Sequence, residues 1–443
     1  MPEDLRGRGV DLLAQVWPLL TGTDGPPPQL RVTGATGLAS PLPVPDLAVG
    51  SVAAQLAAAR VLREDGGPLD VDAAHVGLAF RSERYAAVDG TPAGLRLHPL
   101  SRFCRTADGW VRLHANYPHH RAAVHRVLGQ DVEAAALDRT AGELADAVVA
   151  AGGAAAAVRP AVAWAASPQG RAAASAPLVA LRRTADGPPR AVLVEGVRVL
   201  DLTRVIAGPV ATRTLASHGA DVLRLDGPAL PEDPAALVDT GPGKRHAVLD
   251  LASAAGRRTV EELLGAADVV VQGYRPGALA RFGLDPASLA ERHPHLVVVS
   301  LSAWGTTGPW ADRRGFDSLV QAACGIALEC GTAEAPGVLP AQALDHATGH
   351  LAAAAVLAGL ARRRVEGGGW HGELSLARTA AWLLAAPRRA EPVGEPADPA
   401  PYLLTLPSTD GEVTVLAPPG SPRWSAPARF LAATERPAWR DRG

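Results

Sequence analysis

The sequence predicts an α/β protein in which a large domain, built on a doubly wound parallel sheet, is joined to a smaller α+β domain. Three observations lead there. Residues 195–226 (EGVRVLDLTRVIAGPVATRTLASHGADVLRLD) read as strand, glycine-containing turn, helix and second strand. Between 190 and 385, short β-branched runs alternate with helical stretches, the pattern of a parallel sheet covered on both faces. A chain of 443 residues, 47% of them hydrophobic, can bury a large core and divides into two or three domains.

The elements follow in order. Val197, Val199 and Leu200 lead into Asp201-Leu202-Thr203, and the chain turns at Ala207-Gly208-Pro209. A helix runs to His218-Gly219, and Ala220 to Leu225 form the next strand. The turn lies at the carboxyl end of a strand and the start of a helix, where free backbone N–H groups and the helix dipole favour an anionic ligand. It lacks the G-x-G-x-x-G spacing of a dinucleotide site. Further strands are expected at Ala247–Leu251, Ala267–Val271 and Leu296–Leu301, with helices between them.

Charge and composition narrow the partners. A formal charge of −2 gives no reason to expect nucleic acid or a membrane surface, and no apolar run is long enough for a membrane span. The N-terminus is charged and interrupted, unlike a secretion signal. Cys104, Cys324 and Cys330 lack the spacing of a zinc site or a disulfide framework, so a reducing cytoplasm fits. His114, His119, His120 and His125 have no carboxylate or Cys partner in the sequence and read as surface or core histidines, so no metal is expected. Lys244 is the one lysine among 43 basic residues, and reads either as a position that needs an ammonium group or as an ordinary solvated charge in an Arg-biased composition.

Pro- and Gly-rich stretches at 24–45, 184–190 and 387–401 divide the chain into 1–190, 191–386 and 387–443. The chain also repeats itself. SPLPVPDLAVGSVAAQLAAARVL (40–62) resembles GVLPAQALDHATGHLAAAAVLAGL (337–360), matching Asp46-x-Ala-x-Gly to Asp345-x-Ala-x-Gly. CRTADGWVRLHA (104–115) likewise resembles LPSTDGEVTVLA (406–417). A partial duplication is expected, its first copy lacking the βαβαβ half and its second breaking off inside the smaller domain.

Four ordered segments carry a family resemblance: the βαβ unit, Gly243-Lys244-Arg245, ADVVVQGYRPGALARFGLD (267–285) and SLSAWGTTGPWADRRGFDSLVQAACG (300–325). Together they resemble the class III CoA-transferase family. AVAWAASPQGRAAASAPLV is similar to the family's C-terminal segment, where the chain returns to the large domain. The resemblance implies transfer of CoA from an acyl-CoA to a carboxylic acid, with CoA as substrate and no permanently bound cofactor. It also implies a homodimer, or here an intrachain pseudo-dimer.

Asp345 follows a Pro-containing loop and opens a helix whose N-terminus favours the ionised carboxylate. From the residues alone a helix cap is the commoner fate of an Asp there, whereas the resemblance implies the nucleophile that forms an aspartyl-CoA thioester. By the same resemblance Val205, Ile206 and Ala207 form the loop meeting the adenine end of CoA, and Lys244, Tyr274, Arg281 and Arg314 contact the nucleotide or its phosphates. Asp226 fits the family's acidic residue after the second strand, and Gly273 stands where the family usually has Asn. A glycine-rich loop that would supply oxyanion donors is not evident between 385 and 405. Asp46 reads as a structural cap. Racemases of the family carry a His where this chain has Phe316, which removes the base for proton abstraction. A catalytically silent CoA-binding or scaffold homologue is the further alternative.

Overall fold

Seven strands of the computed structural model form one sheet: β1 (Ala180–Ala185), β2 (Arg198–Leu202), β3 (Asp221–Asp226), β4 (Lys244–Val248), β5 (Val269–Gln272), β6 (Val297–Ser302) and β7 (Gly369–Ser375). Their order is β4-β3-β2-β5-β6-β7-β1. All neighbours are parallel except β1, which runs antiparallel to β7. The structure describes residues 9–191, 193–388, 396–420, 424 and 436–440. The fold is mixed α/β, with parallel and mixed sheets.

The apolar runs explain the sheet. Val199, Val269, Val271, Val297 and Val299 point into one buried cluster, while Leu200, Leu202, Val270 and Val298 point into another. Alternation along each strand therefore feeds two cores, and near-continuous hydrophobic strands result. The strand expected at Ala247–Leu251 is displaced: β4 spans Lys244–Val248, and Leu249 to Leu251 belong to the following turn. Its first residue is polar because the Lys244 ammonium turns inward to Asp201 Oδ2 (3.1 Å) and the Pro209 carbonyl (2.9 Å).

Five helices position the site: α1 (Val10–Thr21), α2 (Val44–Arg63), α3 (Ala207–Ser217), α4 (Asp317–Cys324) and α5 (Ala343–Glu366). Helix α5 packs on α3 and, across its Ala-rich faces, on α2. Glycine makes the first contact close. A Cβ on Gly349 would lie 2.5 Å from the Ala207 carbonyl oxygen and 3.0 Å from Val210. The pairing of α1 with α2 repeats this arrangement, since a Cβ on Gly50 would lie 2.7 Å from the Leu12 side chain and 2.9 Å from the Gly9 carbonyl oxygen.

Two further sheets carry the smaller elements. Phe103–Arg105 and Trp110–Leu113 form a hairpin joined by Ala155–Ala157. A second hairpin, Leu403–Ser408/Gly411–Leu416, pairs with Ala87–Val88 from the N-terminal part of the chain. No helix among the described residues is long and apolar enough to cross a membrane.

Replacing Gly349 by Leu must push α5 off the start of α3. Overpacking of this kind costs about 1–3 kcal/mol, and urea unfolding of the purified variant is expected to show that loss.

Candidate active site

A cavity of about 280 Å³ opens between the carboxyl ends of β2 and β5. The strand order reverses at this point, and such a crevice is where open α/β sheets bind ligands. Val205, Ala207 and Gly208 line it from the loop and first turn after β2, Gly273 to Arg275 from the loop after β5, and Leu301 to Ala303 from the end of β6. Asp345 enters from the first turn of α5.

Asp345 is 7% exposed, and among the described residues its carboxylate accepts no hydrogen bond. The orphan N–H groups of its helix are met instead by Asp317, the first residue of α4. Asp317 Oδ2 accepts from Leu344 N (2.9 Å) and Asp345 N (3.1 Å), while its Oδ1 accepts from Gln321 Nε2. The Gln321 side-chain Oε1 in turn accepts from Leu339 N (2.9 Å), which fixes the loop before α5. Burial raises the pKa of both carboxyls, and the charge of Asp317 raises Asp345 further. With three donors on Asp317 and none on Asp345, the proton the pair retains belongs on Asp345. This overturns the expectation that the helix N-terminus keeps Asp345 ionised: Asp317 already occupies the N–H groups, and desolvation outweighs the dipole.

Glu232 organises the opposite edge. Its carboxylate accepts from Tyr117 Oη (2.8 Å), Val205 N (3.0 Å), Asp233 N (3.1 Å), Arg224 (3.2 Å) and Arg204 (3.4 Å). Burial opposes its ionisation, but Arg224 and Arg204 outweigh that and hold it below the ordinary range. The Val205 anchor matters because Val205 sits at φ +70°, a left-handed conformation that a β-branched residue adopts only under constraint.

A wall of rings comes from the N-terminal part of the chain. Tyr117, His119 and His120, at the start of helix Pro118–Leu128, line the cleft together with Phe316. Behind them His114 stacks on Phe316, with centroids 3.6 Å apart and planes 3° apart. Burial first, then neighbouring histidines and arginines, lowers His114 and His120 to about 3, so both rings are neutral. Arg275 and Arg314 supply positive charge. Arg275 donates to the Asp312 carbonyl oxygen, whereas the Arg314 guanidinium has no bonded partner among the described residues.

The sequence model of CoA-transferase family III matches residues 194–441. The chain belongs to that family. It is 35% identical over 188 residues to a probable fatty acyl-CoA transferase of Mycobacterium tuberculosis, covering 39% of this chain and 48% of that protein. It is 34% identical over 189 residues to the succinyl-CoA:glutarate CoA-transferase of Mus musculus, covering 40% of this chain and 43% of that one. The chain thus spans less than half the length of these relatives. A crystal structure of a CAIB/BAIF family protein from Brucella suis aligns at 29% identity with a TM-score of 0.41, covering 49% of this chain and 64% of that chain.

Of the residues that resemblance to CoA-transferase family III singled out, the cleft brings together Val205, Ala207, Tyr274, Arg314 and Asp345. Three others lie elsewhere. Ile206 is a buried residue at the start of α3. Lys244 is buried in its pair with Asp201, and burial lowers it to about 8. Arg281 lies over the Phe282 ring, 4.6 Å from its centroid, outside the cleft lining. Asp226 pairs with Arg224 beneath the Glu232 hub. Asp46 accepts a hydrogen bond from Gly9 N (3.2 Å) at the start of α1. Part of the stretch without a glycine-rich loop, residues 389–395, lies outside the described residues. Among the described residues no group of three His, Cys, Asp or Glu is placed to hold a metal.

Sequence reasoning missed Glu232, Asp317, Tyr117, His119 and His120. A local signal existed only for Asp317, which lies in the 300–325 segment that carries the family resemblance. The partners of Glu232 come from separated segments, and the ring wall is made by folding the N-terminal part onto the sheet.

The raised pKa of Asp345 has a thermodynamic sign. Its contribution to stability is full below the unfolded carboxyl pKa of about 3.9 and is lost as pH rises through the higher folded value. Asp345→Asn is therefore expected to melt above the parent by at least about 2 °C at pH 8, a gap that closes toward pH 4 in calorimetric scans. Lys244→Met leaves Asp201 buried without its cation. Breaking a buried pair costs about 3–5 kcal/mol, and a matching drop in urea stability is expected.

Proposed function

We propose that this chain moves CoA from an acyl-CoA donor to a free carboxylic acid through a thioester on Asp345. The observation that carries the reading is a buried carboxylate with no hydrogen-bond partner among the described residues, facing a cavity at the sheet's switch point. A carboxylate with no structural duty is free to act as a nucleophile.

In the first step the Asp345 carboxylate attacks the thioester carbonyl, the C–S bond breaks, and CoA leaves as thiolate from a mixed anhydride. The thiolate then attacks the aspartyl carbonyl, giving aspartyl-CoA and releasing the acyl group as a carboxylate. An incoming carboxylate repeats the two steps in reverse, and no net proton is consumed. The N–H groups of Ala207 and Gly208, in the first turn of α3, have no partners within the helix and stand in for the donors of a glycine-rich loop. Arg314 and Arg275 meet the negative charge of CoA at the rim.

The strand order and the two apolar clusters support a doubly wound sheet. Residues 1–190 read as a partial first copy made of the Asp46 helix, a small domain and a return segment, beside the sheet domain of 191–386 and a second small-domain segment from 387, and the pairing of α2 with α5 favours an intrachain pseudo-dimer over a homodimer. An isomerase fits less well, because the apolar Phe316 takes no proton and His120, lowered to about 3, is a weak base.

Incubation with acetyl-CoA, succinyl-CoA and benzoyl-CoA, followed by peptide mass spectrometry, tests the proposal. A CoA adduct on the Asp345 peptide is expected, forming faster as pH rises and deprotonates Asp345, and absent from Asp345→Asn. CoA binding without an adduct from any donor sinks the reading and favours a silent homologue.

A further inference from the structure

Resting on the assignment of Asp345 as the thioester-forming residue, we infer that the acyl group handled beside it is planar and aromatic. Phe316 lines the cleft that Asp345 faces. It is adjacent in sequence to Asp317, whose carboxylate holds the Asp345 backbone N–H, so an acyl group attached at Asp345 forms beside that ring.

Phe316 does not stand alone. His120 lies 5.7 Å from it, ring centre to ring centre, and Tyr117 lies 5.5 Å from His120, so one wall of the cleft is continuous ring surface. His114, packed flat behind Phe316, fixes the plane of that ring. Offset-stacked and edge-on contacts of this kind reward a flat, polarisable ligand over a flexible chain.

The floor is shaped for width. A Cβ on Gly273 would meet nothing nearer than Thr203 at 3.7 Å, an ordinary contact distance, and its backbone is not in the left-handed region. The protein's own packing therefore does not demand glycine there, and the space goes to the cleft.

The charge pattern argues against a second carboxylate on the acyl group. Arg204 is committed to the Leu230 and Pro231 carbonyl oxygens and to Glu232, and Arg275 donates to Asp312. Arg275 and Arg314 are the rim cations that meet CoA, so neither is left over for a second carboxylate on the acyl group. A second carboxylate lying on the ring wall would be buried without a cation, among neutral histidines, at a large desolvation cost.

The test is a panel of acceptor acids with the full chain and acetyl-CoA as donor: benzoate and cinnamate, succinate and glutarate, and octanoate. Aromatic acceptors are expected to exceed the others in kcat/KM by about 10-fold, the size of a favourable ring contact. Gly273→Asn, which the fold has room for, is expected to cut the cinnamate value by about 10-fold and to move the succinate value far less, with melting temperature unchanged. Equal or better use of succinate, glutarate or octanoate overturns the inference, as does a Gly273→Asn variant that slows all acids alike. If no donor forms the Asp345 adduct, the transfer reading fails on its own terms. Equilibrium dialysis of labelled cinnamate against labelled succinate on the CoA-loaded protein then decides the acyl class: tighter cinnamate binding upholds it, and equal or weaker binding overturns it.

Discussion

One carboxylate oxygen holds the site together. Asp317 Oδ2 receives the N–H groups of Leu344 and Asp345, so the helix of Asp345 begins on an acid borrowed from another helix. A helix usually satisfies these donors with a residue of its own. Here the cap opens α4, directly after the loop that carries Arg314 and Phe316, so rim cation, ring wall and helix start shift together or not at all. Placing two acids at one buried helix end is also what drives a proton onto Asp345. A site built this way sacrifices stability for chemistry.

Two helix pairs of the chain share one packing device and differ in what surrounds the acid. Helix α2 rests on α1 through Gly50 as α5 rests on α3 through Gly349. Asp46 and Asp345 occupy matching places, four residues before those glycines. Asp46, however, bonds the backbone at the entry to α1, whereas Asp345 faces open space. The geometry around each acid, rather than its position on the helix, separates a cap from a candidate nucleophile. Tyr117, His119 and His120, from the same N-terminal part of the chain as Asp46, line the cleft that Asp345 faces.

Much of this was legible in the chain. Strand positions followed from β-branched runs, whereas the turn expected at Ala207-Gly208-Pro209 falls earlier, at Val205 and Ile206, because Ala207 already opens α3. What could not be read was long-range. The start of β4 was hidden because a lysine heads a strand only when a buried Asp awaits it. Glu232 looks like an ordinary acid in a Pro-rich loop, and its importance comes from Tyr117, Val205 and Arg224, which folding alone assembles around it. Local rules also erred in direction for Asp345, since they weigh the dipole of a helix end and know nothing of how much water the fold removes.

The buried pair of Lys244 with Asp201 has a chemical corollary. Thioesters acylate free amines without help, and lysine ε-amines are the usual victims. In a chain whose single lysine is locked under the sheet, the exterior carries arginine as its basic side chain, and guanidinium is a poor nucleophile. Such a surface can sit among reactive acyl donors without accumulating adducts on its side-chain amines.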